Sequence, residues 1–153
     1  MVIANFLDKN GVDFEVLPHH VAYDAQHVAQ ALHVSGHKVA KTVLLRVDHR
    51  YGYLVAVLPA TKRIDFERLS RTLNGCEIEL ATENEIADHC PDCEFGVLPP
   101  FGSQYAMQTV IDKDLAANSD LIIEGNTHQE ALRMKMADFM RLEEPLVISF
   151  ATT

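Results

Sequence analysis

The sequence predicts an α+β domain built on a mixed, mainly antiparallel sheet with helices packed around it. Three observations carry this. The 153 residues are 48% hydrophobic and 23% charged, ordinary for one packed globular domain. The β-rich runs 39–47 and 51–58 are joined by a link too short for a crossover helix, so they must pair antiparallel. The helical patterns are short and do not alternate regularly with the strands, as a parallel α/β fold would require.

The elements follow in order. Residues 2–10 place Val2, Ile3, Phe6 and Leu7 at helical spacing, and Gly11 is a stop. Residues 13–17 alternate and end at Pro18, which predicts a short strand. Asp24 is a candidate cap for a helix running to Leu32, with Ala25, Val28, Ala29 and Leu32 inward. The hairpin of 39–47 and 51–58 turns through Asp48, His49 and Arg50. Asp65 caps a helix through Leu73, and 76–80 form a strand. Thr82 and Glu85 make a capping box for the next helix. Residues 94–104 form a loop rich in Gly and Pro. Strands at 106–111 and 120–124 follow. Residues 131–137 alternate, with Leu132, Met134 and Met136 on one face and Arg133 and Lys135 on the other. A short helix over 138–142 and a strand over 146–150 close the chain. No repeat or flexible linker interrupts it, so residues 1–153 are expected to be a single domain.

Thirteen basic residues stand against 22 acidic ones, a net charge of −9. That balance argues against a protein that coats long nucleic acid by charge. The charge is unevenly spread, however: −3 over residues 1–37, +5 over 38–71 and −11 over 72–153. Lys38, Arg46, Arg50, Lys62, Arg63, Arg68 and Arg71 of the middle segment are candidates for phosphate contacts. No run of 18 apolar residues suggests a membrane span, and the N-terminus lacks the pattern of a secretory leader. With three cysteines, an odd number, this predicts a reduced, cytoplasmic setting.

Four groups of residues could carry chemistry. Lys41 shares a strand face with Val39, Val43, Leu45 and Val47, an unusual place for an ammonium. Either it snorkels from the strand end, or it stands at the mouth of a pocket to meet a phosphate or a polar group. The loop Gly96-Val97-Leu98-Pro99-Pro100-Phe101-Gly102 allows close backbone approach and offers few N–H donors, suited to a carbonyl or oxyanion. It could equally be a stiff surface loop. Glu124-Gly125-Asn126-Thr127-His128 is a turn between strands, and its histidine could line a pocket or act near neutral pH. His89-Cys90-Pro91-Asp92-Cys93 contains a CxxC, but no second ligand pair accompanies it, so no metal site is expected.

In this order the motifs resemble the YbaK/prolyl-tRNA synthetase-associated family, whose members are editing domains that hydrolyse mischarged aminoacyl-tRNA. The matching features are Val39-Ala40-Lys41-Thr42-Val43-Leu44-Leu45 with the family's strand lysine, the hairpin partner ending Val57-Leu58-Pro59, and the Asp65–Leu73 helix. Glu83-Asn84-Glu85-Ile86, the loop Gly96–Gly102 as a GxxxPxG element, and Val110-Ile111-Asp112 follow. Ile122–Gly125 and Met136–Leu142 resemble the closing strands and helix. The likeness covers nearly the whole chain.

The resemblance implies a curved sheet and a stand-alone ester hydrolase acting in trans on the 3′-terminal aminoacyl-adenosine of a mischarged tRNA. It implies no metal or organic cofactor, no protein nucleophile, and no membrane or DNA partner; prolyl-tRNA synthetase is a candidate partner. Lys41, Gly96, Gly102 and His128 are the implied catalytic residues. Lys38, Thr42, Val97, Leu98, Pro99, Pro100, Phe101, Asp112, Gly125 and Thr127 are the implied substrate-binding set, with Asp112 rather a support than a catalyst. His128 resembles the histidine of alanine-clearing members, so Ala-tRNA(Pro) is the expected substrate. Cys-tRNA(Pro) or a broader specificity is the alternative, and a non-catalytic module binding tRNA or a synthetase is the competing class.

Overall fold

The computed structural model describes residues 2–22, 24–48 and 52–153. A five-stranded sheet runs in the order β5 (Ile78–Leu80), β2 (Ala40–Val47), β3 (Gly52–Pro59), β6 (Gln108–Asp112), β9 (Leu146–Ile148). The pairs β5–β2 and β2–β3 are antiparallel, whereas β3–β6 and β6–β9 are parallel. A three-stranded antiparallel sheet has the order β1 (Phe14–Pro18), β8 (Glu130–Lys135), β7 (Asp120–Glu124). A small antiparallel pair joins β4 (Arg63–Ile64) to β10 (Ala151–Thr152). The helices are α1 (Ile3–Lys9), α2 (Ala25–Leu32), α3 (Phe66–Thr72), α4 (Glu83–His89), α5 (Lys113–Ala116) and α6 (Met136–Glu143). This is the mixed α+β architecture the patterns predict. The hairpin is present, but His49 and Arg50 at its tip lie outside the described residues.

Both faces of the five-stranded sheet are covered. Leu44, Val55, Val57 and Ile111 face Leu121, Ile123, Leu132 and Met134 of the second sheet, with Phe101 and Phe139 between helices and sheets. Leu45, Leu54, Ala56, Leu58 and Val110 face Leu69 of α3 and Phe150. Two-sided burial explains why β3 reads as a continuous apolar run rather than alternating. A third cluster of small residues, among them Ala25, Val28, Ala29, Val39, Ala60 and Ile122, seats α2 where the two sheets meet. There an isolated parallel bridge joins Val39 to Ile122.

Local chemistry sets the ends. Asp24, Asp65 and Thr82 cap α2, α3 and α4, and Thr82 and Glu85 form the reciprocal capping box. Four local details differ from the sequence pattern. Met136 does not continue β8 but opens α6; its N–H donates to the Ser119 carbonyl, and its side chain stays buried. Residues 106 and 107 precede β6, because Ala106 takes a left-handed conformation (φ +60°) to close the 3₁₀ turn Gly102–Tyr105. Residues 76 and 77 precede β5, where Ser70 Oγ donates to the Cys76 carbonyl and Asp48 accepts from the Glu77 N–H. The strand expected over 146–150 stops at Ile148 (β9), and the short strand β10 follows at Ala151–Thr152. Asp112 marks that break: its Oδ1 accepts from the N–H groups of Phe150 and Ala151, each at 2.9 Å, so these donors do not continue the β6–β9 ladder. Its Oδ2 meanwhile caps the short helix α5, which the pattern did not disclose.

The cysteines also depart from expectation. Cys90 and Cys93 are joined in a disulfide, and Cys76 takes no part in it. The turn after α4, closed by the Cys93 N–H on the Cys90 carbonyl, brings the two Cα atoms within 5.4 Å.

Candidate functional site

Where β2, the start of α2 and the end of β7 converge, a cleft of about 390 Å³ opens. It is lined by Asp24, Ala25 and Gln26 of the α2 start and by Ala40, Lys41, Thr42 and Val43 of β2. Ala60, Gly96, Leu98 and Glu124 complete the lining. A wider hollow of about 740 Å³ lies at the far end of the five-stranded sheet beside Arg46, Cys76 and Glu79, and holds none of the implied site residues.

Lys41 sits at the second position of β2, half-buried, on the face it shares with Val43, Leu45 and Val47. Its Nζ donates to the Lys62 carbonyl at 3.3 Å. One carbonyl steadies the ammonium and leaves its other donors for a ligand. Thr42, next along the strand, lines the same cleft.

The Gly96–Gly102 segment is not an exposed loop; Val97, Leu98, Pro99, Pro100, Phe101 and Gly102 are all buried. Phe101 stacks edge-on against Phe6 and Phe139. The two glycines have different reasons. Gly96 adopts φ +85°, a left-handed backbone that side chains disfavour. Gly102 is constrained by space: a Cβ there would lie 2.6 Å from Thr109 Oγ1 and 2.9 Å from the Met107 carbonyl. The Gly102 N–H already donates to Thr109 Oγ1, and that of Val97 to the Glu94 carbonyl. Gly96 and Leu98 reach the cleft, and their N–H groups make no hydrogen bond among the described residues.

His128 stands behind this loop rather than in the cleft lining. It is 3% exposed, and its Nε2 lies 2.9 Å from the Phe95 carbonyl. A carbonyl only accepts, so Nε2 carries the proton. The His128 N–H donates to Glu94 Oε2, and the Glu94 N–H donates to the Asn126 carbonyl. Two turns more than thirty residues apart are thereby clasped, and Gly96 lies against the imidazole. Gly125 and Thr127 open onto a separate hollow with Asp92, Cys93 and Glu94. Asp112 is buried, and its carboxylate is committed to three backbone N–H groups away from the cleft. Lys38 lies in the short turn before β2, half-buried.

Of the implied set, the fold therefore brings Lys41, Thr42, Gly96 and Leu98 together. Val97, Pro99, Pro100, Phe101, Gly102 and His128 shape the loop from inside. Among the other basic candidates, Arg46 pairs with Glu79 and Glu85, Lys62 with Asp114, and Arg68 with Asp65.

Glu124 is the residue sequence reasoning passed over. It ends the apolar run of β7 and faces the cleft. Its Oε1 is buried and has no hydrogen-bond partner among the described residues. Burial pushes its carboxyl up to about 7; His128 pulls it down, while Asp24 and Glu94 push it further up. Asp24, on the same cleft, is the opposite case. Burial raises it, but the His27 N–H and imidazole bound to its carboxylate more than offset that and hold it below its ordinary value. The available signal was an acid closing an apolar strand directly before the Gly125 turn.

The model of the aminoacyl-tRNA editing domain family matches residues 19–142, which span every wall of this cleft. The chain belongs to that family. It is an aminoacyl-tRNA deacylase. Over 150 residues it is 25% identical to the multifunctional Ser/Thr-tRNA deacylase ProXp-y of Escherichia coli (strain K12), covering 96% of this chain and 89% of that one. It is 26% identical over 101 residues to a proline–tRNA ligase of Xanthomonas axonopodis pv. citri, covering 66% of this chain and 17% of the ligase. A solved chain proposed to be a trans-editing enzyme for prolyl-tRNA synthetase superposes with a TM-score of 0.83 at 18% identity, covering 99% and 95% of the two chains. This fold is thus the fold of editing domains. No helix among the described residues is long and apolar enough to cross a membrane.

Proposed function

We propose that this chain, acting as one stand-alone domain, hydrolyses in trans the ester of a tRNA mischarged with a small amino acid, Ala-tRNA(Pro) foremost. The observation that carries this reading is the cleft: one lysine, two unused backbone N–H groups and a wall of small apolar side chains, Ala25, Ala40, Ala60, Val43 and Leu98. Lys41 meets the phosphate of the terminal adenosine as a point charge. The N–H groups of Gly96 and Leu98 receive the acyl carbonyl and the negative charge that develops on it during attack. His128 keeps Gly96 in place from behind. The ester is already activated, so positioning plus charge stabilisation suffices, with water and the ribose hydroxyl beside the ester as the reacting groups. Lys38 contributes a peripheral phosphate contact.

A second reading has its own support. The relative matched over 150 residues is named for Ser and Thr, and the Thr42 hydroxyl on the cleft wall offers a hydrogen bond to a hydroxylated acyl group. A small pocket excludes larger groups by clash, but one methylene is worth only about 1–3 kcal/mol, so overlap among Ala, Ser and Cys is expected. The deciding experiment is a deacylation panel of Ala, Cys, Ser, Thr and Pro esters on matched tRNAs. The reading expects multiple turnover on Ala-tRNA(Pro) and sparing of Pro-tRNA(Pro). Faster turnover of Ser or Thr esters selects the second reading. Binding without turnover on any ester rejects both and leaves a binding module.

A further inference from the structure

We propose that Glu124 is the anchor for the α-ammonium group of the aminoacyl ester, which makes the enzyme selective for esters with a free amine. The inference rests on the deacylase reading and adds to it the part of the substrate that the lysine and the loop leave unread.

The cleft carries charge of both signs on separate elements: Lys41 on β2, and Asp24 and Glu124 at the start of α2 and the end of β7. The two acids differ. Asp24 is taken by the His27 N–H and imidazole. Glu124 keeps a buried oxygen with no partner among the described residues, an unfavourable arrangement that a ligand donor relieves. The donor that fits is a cation. Besides Glu124, the charged and titratable groups around this point among the described residues are Asp24 and Glu94, both acidic, His128 behind the loop, and Lys41 on β2. The acyl end of an aminoacyl-tRNA offers one cation, its α-ammonium, and the adjoining adenosine offers one anion, its phosphate. One lysine and one open carboxylate lining the same cleft match that pair in sign and number. Burial holds the Glu124 carboxyl near half-ionised at neutral pH, so an arriving ammonium draws it fully into the anion.

An acylated amine has no charge to offer and would leave the carboxylate buried and unpaired. The enzyme therefore rejects N-acetyl, N-formyl and peptidyl esters, and spares tRNA engaged in chain growth.

The test compares kcat/KM on alanyl-tRNA and N-acetylalanyl-tRNA for the wild type and for Glu124→Gln, which keeps the shape and removes the charge. The wild type is expected to favour the free amine at least tenfold, and the ratio to fall towards one in Glu124→Gln, mainly through KM on the free-amine substrate. A ratio equal in the two proteins overturns the anchor. In particular, an equal loss on both substrates would mean that Glu124 acts on water or on the fold instead. The non-hydrolysable 3′-alanylamido-adenosine and its N-acetyl form, titrated against both proteins, read the same discrimination as a ratio of Kd without turnover. If the wild type turns over no ester yet binds the amine form in preference, and Glu124→Gln does not, the deacylase reading fails and the anchor stands. No preference in binding overturns the anchor whatever the activity.

Discussion

Glu124 and Asp112 are acids at the ends of apolar strands consecutive in sequence, yet they have opposite fates. Asp112 closes β6 and accepts from three backbone N–H groups, two at the C-terminal segment and one at the start of α5. Glu124 closes β7 and keeps an oxygen that is buried and unbonded. A buried carboxylate with all its acceptors filled holds a fold together; one with an acceptor open is a place for something to bind. Glu143 belongs with Asp112: its carboxylate accepts from Ser103 N–H, Ser103 Oγ and Thr109 Oγ1, so it braces the Gly102 end of the loop.

Three variants test this contrast. The largest effect belongs to the open site. Lys41→Ala removes the cation of the cleft and is expected to lower kcat/KM for deacylation roughly a hundredfold, the scale of one charge-assisted contact at a reacting group. Its circular dichroism and melting temperature should stay at wild-type values, because Lys41 makes a single internal hydrogen bond, to the Lys62 carbonyl. Wild-type activity in this variant would remove Lys41 from the site.

Asp112→Ala should do the reverse. It leaves the N–H groups of Phe150 and Ala151 buried without acceptors and uncaps α5. The expected loss is about 3 kcal/mol of stability in a denaturant titration. Activity per folded molecule should persist when measured well below the melting temperature. A loss of activity in a fully folded sample would bring Asp112 back among the substrate-binding residues.

The third effect is a dependence on pH. The folded-state value of Glu124 lies above the ordinary 4.5, at about 7. The folded protein thus binds this proton more tightly than the unfolded chain. Its contribution is fully present below pH 4.5 and is lost as pH rises through 7. Glu124→Gln has no such loss, so it should gain stability relative to wild type between pH 4.5 and 8, by at most roughly 3 kcal/mol. Parallel stability curves for the two proteins across that range would mean that Glu124 is solvated rather than buried.

Much of the fold was legible because it rests on neighbours in sequence. The caps at Asp24, Asp65 and Thr82 act on N–H groups two or three residues away, and the hairpin partners are joined by a short turn. Lys41 and Gly96 could be singled out because each breaks a local rule, an ammonium on an apolar strand face and a glycine at the head of a proline-rich loop. The His128 assignment was half-legible. Its imidazole serves the Phe95 carbonyl 33 positions earlier, a clasp that spacing along the chain does not encode.

By itself, then, the sequence determined the α+β class, most of the elements and the editing-family motifs, since periodicity, capping and turn chemistry are short-range. Which carboxylates are filled and which is open was set by packing between distant segments. Asp112, Glu124 and Glu143 look alike along the chain. Whether an acid meets three N–H groups or an empty cleft depends on partners 30 to 40 residues away, and hydrogen bonds are made at a range of about 3 Å in space, whatever the separation in sequence.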